Sequence, residues 1–158
     1  MGKYIGESVL RKEDPRLVTG EAKYLEDIKL SGMVHAVVKR SDYAHAKIKN
    51  IDTSEAEKVP GVIGVWTGKD FEDVNPMPCA WQAGGVDNNA NTPRVLEIDK
   101  VTFTGQGVAV VVAEDRNIAE DASSKIVVDY EELPTVVSAE DAIKPGAPQL
   151  QENEPNNI

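Results

Sequence analysis

Cysteine is almost absent: Cys79 stands alone among 158 residues. An internal disulfide is thereby excluded, and one unpaired thiol fits a reducing, cytoplasmic setting. Aromatic residues make up only 5%, so any core must be largely aliphatic. No apolar run approaches the roughly 20 residues that a membrane-spanning helix requires. The N-terminal stretch MGKYIGES lacks an apolar signal core, and Gly6 occupies the position where N-myristoylation needs Ser or Thr. Basic charge is in deficit, with 17 Lys and Arg against 27 Asp and Glu and a formal net charge of −10. Such a surface is repelled by phosphate backbones and anionic bilayers, which argues against nucleic-acid and membrane partners.

What is present is enough for one α/β domain. Apolar residues reach 41%, so burial can offset chain entropy. Residues 1–32 are polar and turn-rich, and predict an extended arm with short strands anchored by Tyr24 and Leu25. Strands are expected over 33–40, 45–52 and 61–67. The polar–apolar alternation of the second slips by one near Asn50, the mark of a bulge. Thr53 or Ser54 caps a short helix over 54–59, with Ser54 and Glu57 spaced as a capping box, and Pro60-Gly61 ends it.

Residues 68–98 carry Gly68, Gly84, Gly85, Pro76, Pro78 and Pro93 and predict a long excursion. Met77, Trp81 and Val86 are its apolar residues, of a kind that anchors on a partner.

Strands over 100–104 and 107–113 flank Gly105-Gln106, which reads as a hairpin turn. The second strand is apolar on both faces and should be central and covered on both sides. Asp115 caps a helix over about 116–125, whose Ile118, Ala119, Ala122 and Ile126 form a small apolar stripe. A strand follows at 127–130. Ser138 and Asp141 offer a second capping box, closed by Lys144-Pro145-Gly146. The pattern strand, short helix, strand thus occurs twice, at 45–67 and 107–130. Residues 145–158 read as a linker.

Chemistry-bearing residues are sparse. His35, His45 and Cys79 match no compact zinc spacing. Gly105-Gln106-Gly107 precedes a strand instead of following one, and Val110 stands where a dinucleotide fingerprint needs its third glycine. Cys79 has no local base to activate it. Glu131 and Glu132 are adjacent, so on a strand they point to opposite faces and do not pair as catalytic carboxylates. Trp66 and Trp81 read as packing residues. Lys100, in EIDKV, resembles the carrier lysine of lipoyl or biotin domains, but it opens a strand where those domains place it at a tight turn.

Three segments in order, GESVLRKEDPRLVTGEAKYLEDIKLSGMVHAVVKRSDYAHAKI (6–48), PGVIGVWTGKDF (60–71) and KVTFTGQGVAVVVAEDRNIAEDASSKIVVDYEELPTVVSAEDAIKPGAP (100–148), resemble the N-terminal α/β-hammerhead domain of molybdopterin-dependent hydroxylases. That family includes xanthine dehydrogenases, aldehyde oxidases and the large subunit of aerobic carbon monoxide dehydrogenase. This chain has Gln106-Gly107 where the family usually has Gln-Pro, and Ser41-Asp42 where it usually has Ser-Pro.

The resemblance implies a mixed sheet with short helices between strands over 1–148, and a linker over 149–158 leading to molybdopterin-binding domains. It implies a parent enzyme that oxidises aldehydes, carbon monoxide or N-heterocycles with oxygen from water. Molybdenum–molybdopterin would sit in the large subunit, with [2Fe–2S] clusters on a small subunit and FAD on a medium subunit. The start at Met1 resembles the separate large-subunit gene of three-subunit prokaryotic enzymes. The family's pterin and base segments lie after the hammerhead, so no catalytic, cofactor-binding or metal-ligating residue carries over to this chain. The expected role is structural and assembly, with a stand-alone interaction module or a Lys100 carrier as alternatives.

Overall fold

Apolar runs and the polar breaks between them set out the elements. The computed structural model describes residues 4–78 and 92–157, and the chain divides into two units, Met1–Met33 and Val34–Ile158. Cys79, Trp81 and Val86 lie outside the described residues.

In the first unit, Pro15 sits in the opening turn of α1 (Asp14–Val18), where its missing N–H costs nothing. A short 3-10 turn at Leu25–Asp27 is held by the Tyr24 N–H donating to Asp27 Oδ2 at 2.8 Å. The short strands expected here are absent among the described residues. Local bonds such as Leu17 N–H to Glu13 O and Ala22 N–H to Arg16 O use the backbone groups instead. Tyr24 and Leu25 are exposed, not anchors.

Among the described residues of the second unit, six strands form two three-stranded sheets, antiparallel throughout. They are β1 (His35–Arg40), β2 (Ala46–Asp52), β3 (Val62–Thr67), β4 (Lys100–Val101), β5 (Gly107–Ala113) and β6 (Val127–Glu132). α2 (Ser54–Glu57) lies between β2 and β3, α3 (Arg116–Ser124) between β5 and β6, and α4 (Ala139–Ala142) follows β6. The sheet orders are β1-β5-β3 and β4-β2-β6. Exchanging β1 with β4, β2 with β5 and β3 with β6 leaves every pairing unchanged. The two strand–helix–strand segments expected from sequence are therefore topologically equivalent, within two ββαβ halves. Each helix carries the chain from one sheet to the other.

β5 is central, as its two apolar faces required. Ala109, Val111 and Ala113 are buried with Ala119 and Ala122 of α3, with Ile126 just after it, and with Ala56 of α2. Alanines along this contact let α3 lie close to the sheet. On the opposite face Val108 is buried with Ala46 and Val101, while Val110 and Val112 are only partly covered. The bulge read near Asn50 is present: the β2–β6 register shifts between Ile48 and Asn50. Asp115 caps α3, its Oδ1 accepting from Asn117 N–H at 2.8 Å.

Four expectations need correction. The hairpin around Gly105-Gln106 does not form, because β4 pairs with β2 and β5 pairs with β1 and β3. Gly105, at φ +93°, turns the chain from one sheet to the other. The strand expected over 100–104 ends at Val101, because Gln106 Oε1 takes the Thr102 N–H at 2.7 Å. The Ser54–Glu57 capping box is not made either. Ser54 N–H donates to Asp52 Oδ1 at 3.0 Å, and the Thr53 hydroxyl donates to Glu57 at 2.6 Å. The second box is half made: Ser138 Oγ accepts from Asp141 N–H, but the Asp141 carboxylate pairs with Lys144.

Candidate functional site

A cluster of hydrogen-bonded polar groups lies where the two halves meet. Gln106 is buried, with Nε2 donating to Glu97 Oε1 at 2.6 Å and Oε1 accepting from Thr102 N–H. Its backbone carbonyl accepts from Ser41 N–H at 2.9 Å, and Gly105 N–H donates to Ser41 O at 2.8 Å. Arg40 reaches across to the Gly105 carbonyl, also at 2.8 Å. Glu97 Oε1 further accepts from Arg94 N–H at 3.2 Å, while Glu97 N–H donates to Gly107 O at 2.9 Å. Burial pushes the Glu97 carboxyl above the usual carboxylate range, and the Arg94 and Gln106 bonds oppose that shift. One glutamine thus stitches the end of β1, the start of β5 and the segment 94–102 together.

This junction walls a polar cleft of about 620 Å³, lined among others by Arg94, Glu97, Asp99, Lys100, Thr102 and Gln106. Lys100 opens β4, and its Nζ donates to Leu150 O at 3.1 Å and lies 3.7 Å from Glu152. It is thus held against residues 150–152 and does not project from a turn, which removes the geometric basis for a carrier lysine. Asn157 holds the same segment, donating to Ala142 O and Pro148 O and accepting from Leu150 N–H. The feet of the 68–98 excursion are tied by Met77 N–H to Pro93 O and by Arg94 to Glu72 O.

A second cluster gathers Ser41, Tyr43, His45 and Tyr130. The Ser41 hydroxyl bonds both backbone groups of Tyr43, and the Tyr43 and Tyr130 rings lie 4.9 Å apart. His45 Nδ1 is 2.6 Å from Pro134 O. A carbonyl only accepts, so Nδ1 is the donor in this contact. Among the described residues, His45 Nε2 and Tyr130 Oη are the buried side-chain polar atoms without a hydrogen-bond partner. Burial also raises the Tyr130 phenol above its ordinary range.

The remaining candidates stay apart. His35 starts β1, in another sheet from the strand that follows His45. Glu131 pairs with Lys47 and Lys49 on the surface of β6. Trp66 lies over Gly64, where an added Cβ would meet the indole at 2.5 Å. Among the described residues no three His, Cys, Asp or Glu side chains are grouped to hold a metal, and no helix is long and apolar enough to cross a membrane. Sequence reading missed Gln106, Glu97 and Ser41 as a unit. The only signal was a Gln between two glycines beside an apolar strand.

The sequence matches the family described as aldehyde oxidase and xanthine dehydrogenase, a/b hammerhead domain, over residues 19–134. The carbon monoxide dehydrogenase large chain of Afipia carboxidovorans is 43% identical over 143 residues, covering 90% of this chain and 17% of that protein. The nicotine 6-hydroxylase large subunit of Paenarthrobacter nicotinovorans is 41% identical over 155 residues, covering 98% of this chain and 19% of its own length. Among solved structures, quinoline 2-oxidoreductase from Pseudomonas putida 86 superposes with a TM-score of 0.77 at 42% identity, over 93% of this chain and 18% of that one. The Cu,Mo-CO dehydrogenase gives 0.75 at 41% identity, over 94% and 18%. This chain therefore spans less than a fifth of the length of these relatives.

Proposed function

The chain belongs to the α/β-hammerhead family of aldehyde oxidases and xanthine dehydrogenases, and from that membership we propose that it is the structural and assembly domain of a molybdenum hydroxylase large subunit. The observation that carries the reading is 41% identity to a hydroxylase large subunit across 98% of this chain. In this reading residues 1–148 are the domain and 149–158 lead onward to molybdopterin-binding domains. The parent enzyme acts in the cytoplasm on an aldehyde, carbon monoxide or an N-heterocycle.

The cofactors of such an enzyme do not fit the residues of this chain. A [2Fe–2S] cluster needs about four thiolate or imidazole ligands, and the sequence has one cysteine and two histidines. The Gly105-Gln106-Gly107 turn feeds β5, not a helix N-terminus, so it presents no dipole end to a pyrophosphate. Molybdopterin is therefore assigned to the rest of the large subunit, the clusters to a small subunit and FAD to a medium subunit. No catalytic, cofactor-binding or metal-ligating role is assigned to residues here. The buried Gln106 amide and the half-buried Glu97 carboxylate are spent on one another and on backbone, as befits a structural role.

Elemental analysis and visible spectroscopy test this. The intact gene product, purified with its partners, is expected to carry molybdenum, iron and flavin, and the 158-residue chain none. A stoichiometric metal or a flavin band on the chain alone would refute the assignment.

A further inference from the structure

The segment after α4 has the composition of a linker, three prolines among polar residues, yet it is tied down at two points. At one, the Lys100 ammonium donates to Leu150 O at 3.1 Å and faces Glu152 at 3.7 Å. At the other, the Asn157 amide makes three bonds. Its Oδ1 accepts from Leu150 N–H at 2.9 Å, and its Nδ2 donates to Pro148 O at 2.9 Å and Ala142 O at 3.0 Å. Between them Glu154 N–H donates to Gln151 O at 3.3 Å, and Asn157 N–H to Glu154 O at 3.0 Å. Residues 148–157 are thus a loop closed on itself by one side chain and pinned to β4 by another. Gln151, Glu152 and Asn153 of this loop line the same polar cleft as Glu97, Thr102 and Gln106. The Lys100 side chain, held by the loop, is only 23% exposed.

We propose that residues 148–157 are a strap over the polar cleft, locked shut by the Asn157 side chain, and that they open as one unit to uncover Lys100. Two features distinguish a strap from ordinary packing. Its fastenings are polar, so water can replace each of them on opening, and the Glu152 carboxylate facing Lys100 is itself 90% exposed and adds little. Second, Asn156 and Asn157 take left-handed backbone, φ +60° and +58°, and among the described residues they are the non-glycine residues that do. That conformation costs any residue with a Cβ, and a compensating bond is needed to hold it. The Asn157 amide supplies three, so the lock and the backbone cost sit on one residue. With the strap open, Lys100 loses its carbonyl acceptor and the cleft beside the Glu97–Gln106 pair gains solvent. Neither the bonds nor the cleft depends on which enzyme the domain serves.

The test uses the intact gene product and two variants, Asn157→Gly and Asn156→Gly. Lysines are pulse-acetylated with an N-hydroxysuccinimide ester, and amide exchange over 148–157 is read residue by residue, both by mass spectrometry. Glycine accepts a positive φ, so Asn157→Gly eases the backbone while removing the three side-chain bonds. It is expected to raise Lys100 acetylation at least about threefold relative to the exposed Lys49 and Lys58. Exchange of the Glu154 amide, bonded to Gln151 O and not to the Asn157 side chain, should quicken by a similar factor. Asn156→Gly keeps the lock and should leave both readouts within error of the parent. Lys100 acetylated as fast as Lys49 and Lys58 in the parent would mean that nothing shields it, and the strap fails. If Asn157→Gly frees the Leu150 amide alone, Asn157 makes a local bond and the segment does not open as a unit. Equal opening in both glycine variants would place the effect in chain flexibility and remove Asn157 as the lock.

Discussion

The two ββαβ halves share a topology but not an investment in packing. In the second, β5 runs seven residues through the centre of its sheet, and α3 spans nine residues with a side-chain cap at Asp115. In the first, the equivalent strand β2 is also seven residues and central, but α2 has four residues and no side-chain cap. Around β5 the core joins seven buried residues, whereas the cluster around β2 has three. Exposed faces of β2 and β6 carry Lys47, Lys49 and Glu131, ion pairs worth little in water. The lesson is that backbone pairing can be duplicated while the burial that stabilises it is concentrated in one copy.

The largest test of this asymmetry places one charge in each central strand. Val111→Asp buries an unpaired carboxylate in the main core and should cost upward of about 4 kcal/mol, leaving the chain unfolded. Ile48→Asp, at the partly covered position of β2, should cost clearly less and leave a folded protein with a lowered urea midpoint. Equal losses would mean the halves are energetically alike.

Next in size is the contact that lets the halves approach. Gly68 is buried, and an added Cβ would stand 2.5 Å from the Glu97 carbonyl oxygen. Gly68→Ala must therefore move backbone and should cost roughly 1–3 kcal/mol. A midpoint within error of the parent would show that the 94–99 segment yields freely.

Helix caps give a smaller contrast. Asp115→Ala should cost about 1 kcal/mol, because the Asn117 N–H loses its acceptor. Thr53→Ala, whose hydroxyl makes no cap bond, should stay within about 0.5 kcal/mol. Thermal melts of the two variants compare them directly.

The smallest expected effect is a pH slope at the junction. Glu97 has its carboxyl raised by burial, so folding favours its protonated form relative to the unfolded chain. Stability from this group is present below the ordinary carboxylate range and is lost as pH rises through the raised folded value. Glu97→Gln should flatten that part of the stability–pH curve. An unaltered slope would place the titrating group elsewhere.

The positions of β1, β2, β3, β5 and β6, the bulge near Asn50, the α3 stripe and the Asp115 cap were legible because each depends on local alternation, helical spacing or one capping side chain. The hairpin at Gly105-Gln106 was misread because two adjacent strands and a glycine turn look the same whether the strands pair with each other or enter different sheets. The capping boxes failed where a nearby ionised group competed: Asp52 for Ser54 N–H, and Lys144 for the Asp141 carboxylate. Family membership was legible from three ordered segments, since it needs no contacts at all.

Sequence alone determined which segments are apolar enough to be strands, that β5 had to be central, and that one cysteine and two histidines do not supply an iron–sulfur site. Those follow from composition and from periodicity along the chain. Only the tertiary structure decided that the second unit folds as two interlocked halves, and that Gln106 joins them through Glu97, Thr102 and Ser41. Each of these depends on which distant segments meet, and residues 41, 97 and 106 become neighbours only once antiparallel pairing between the halves has brought their strands together.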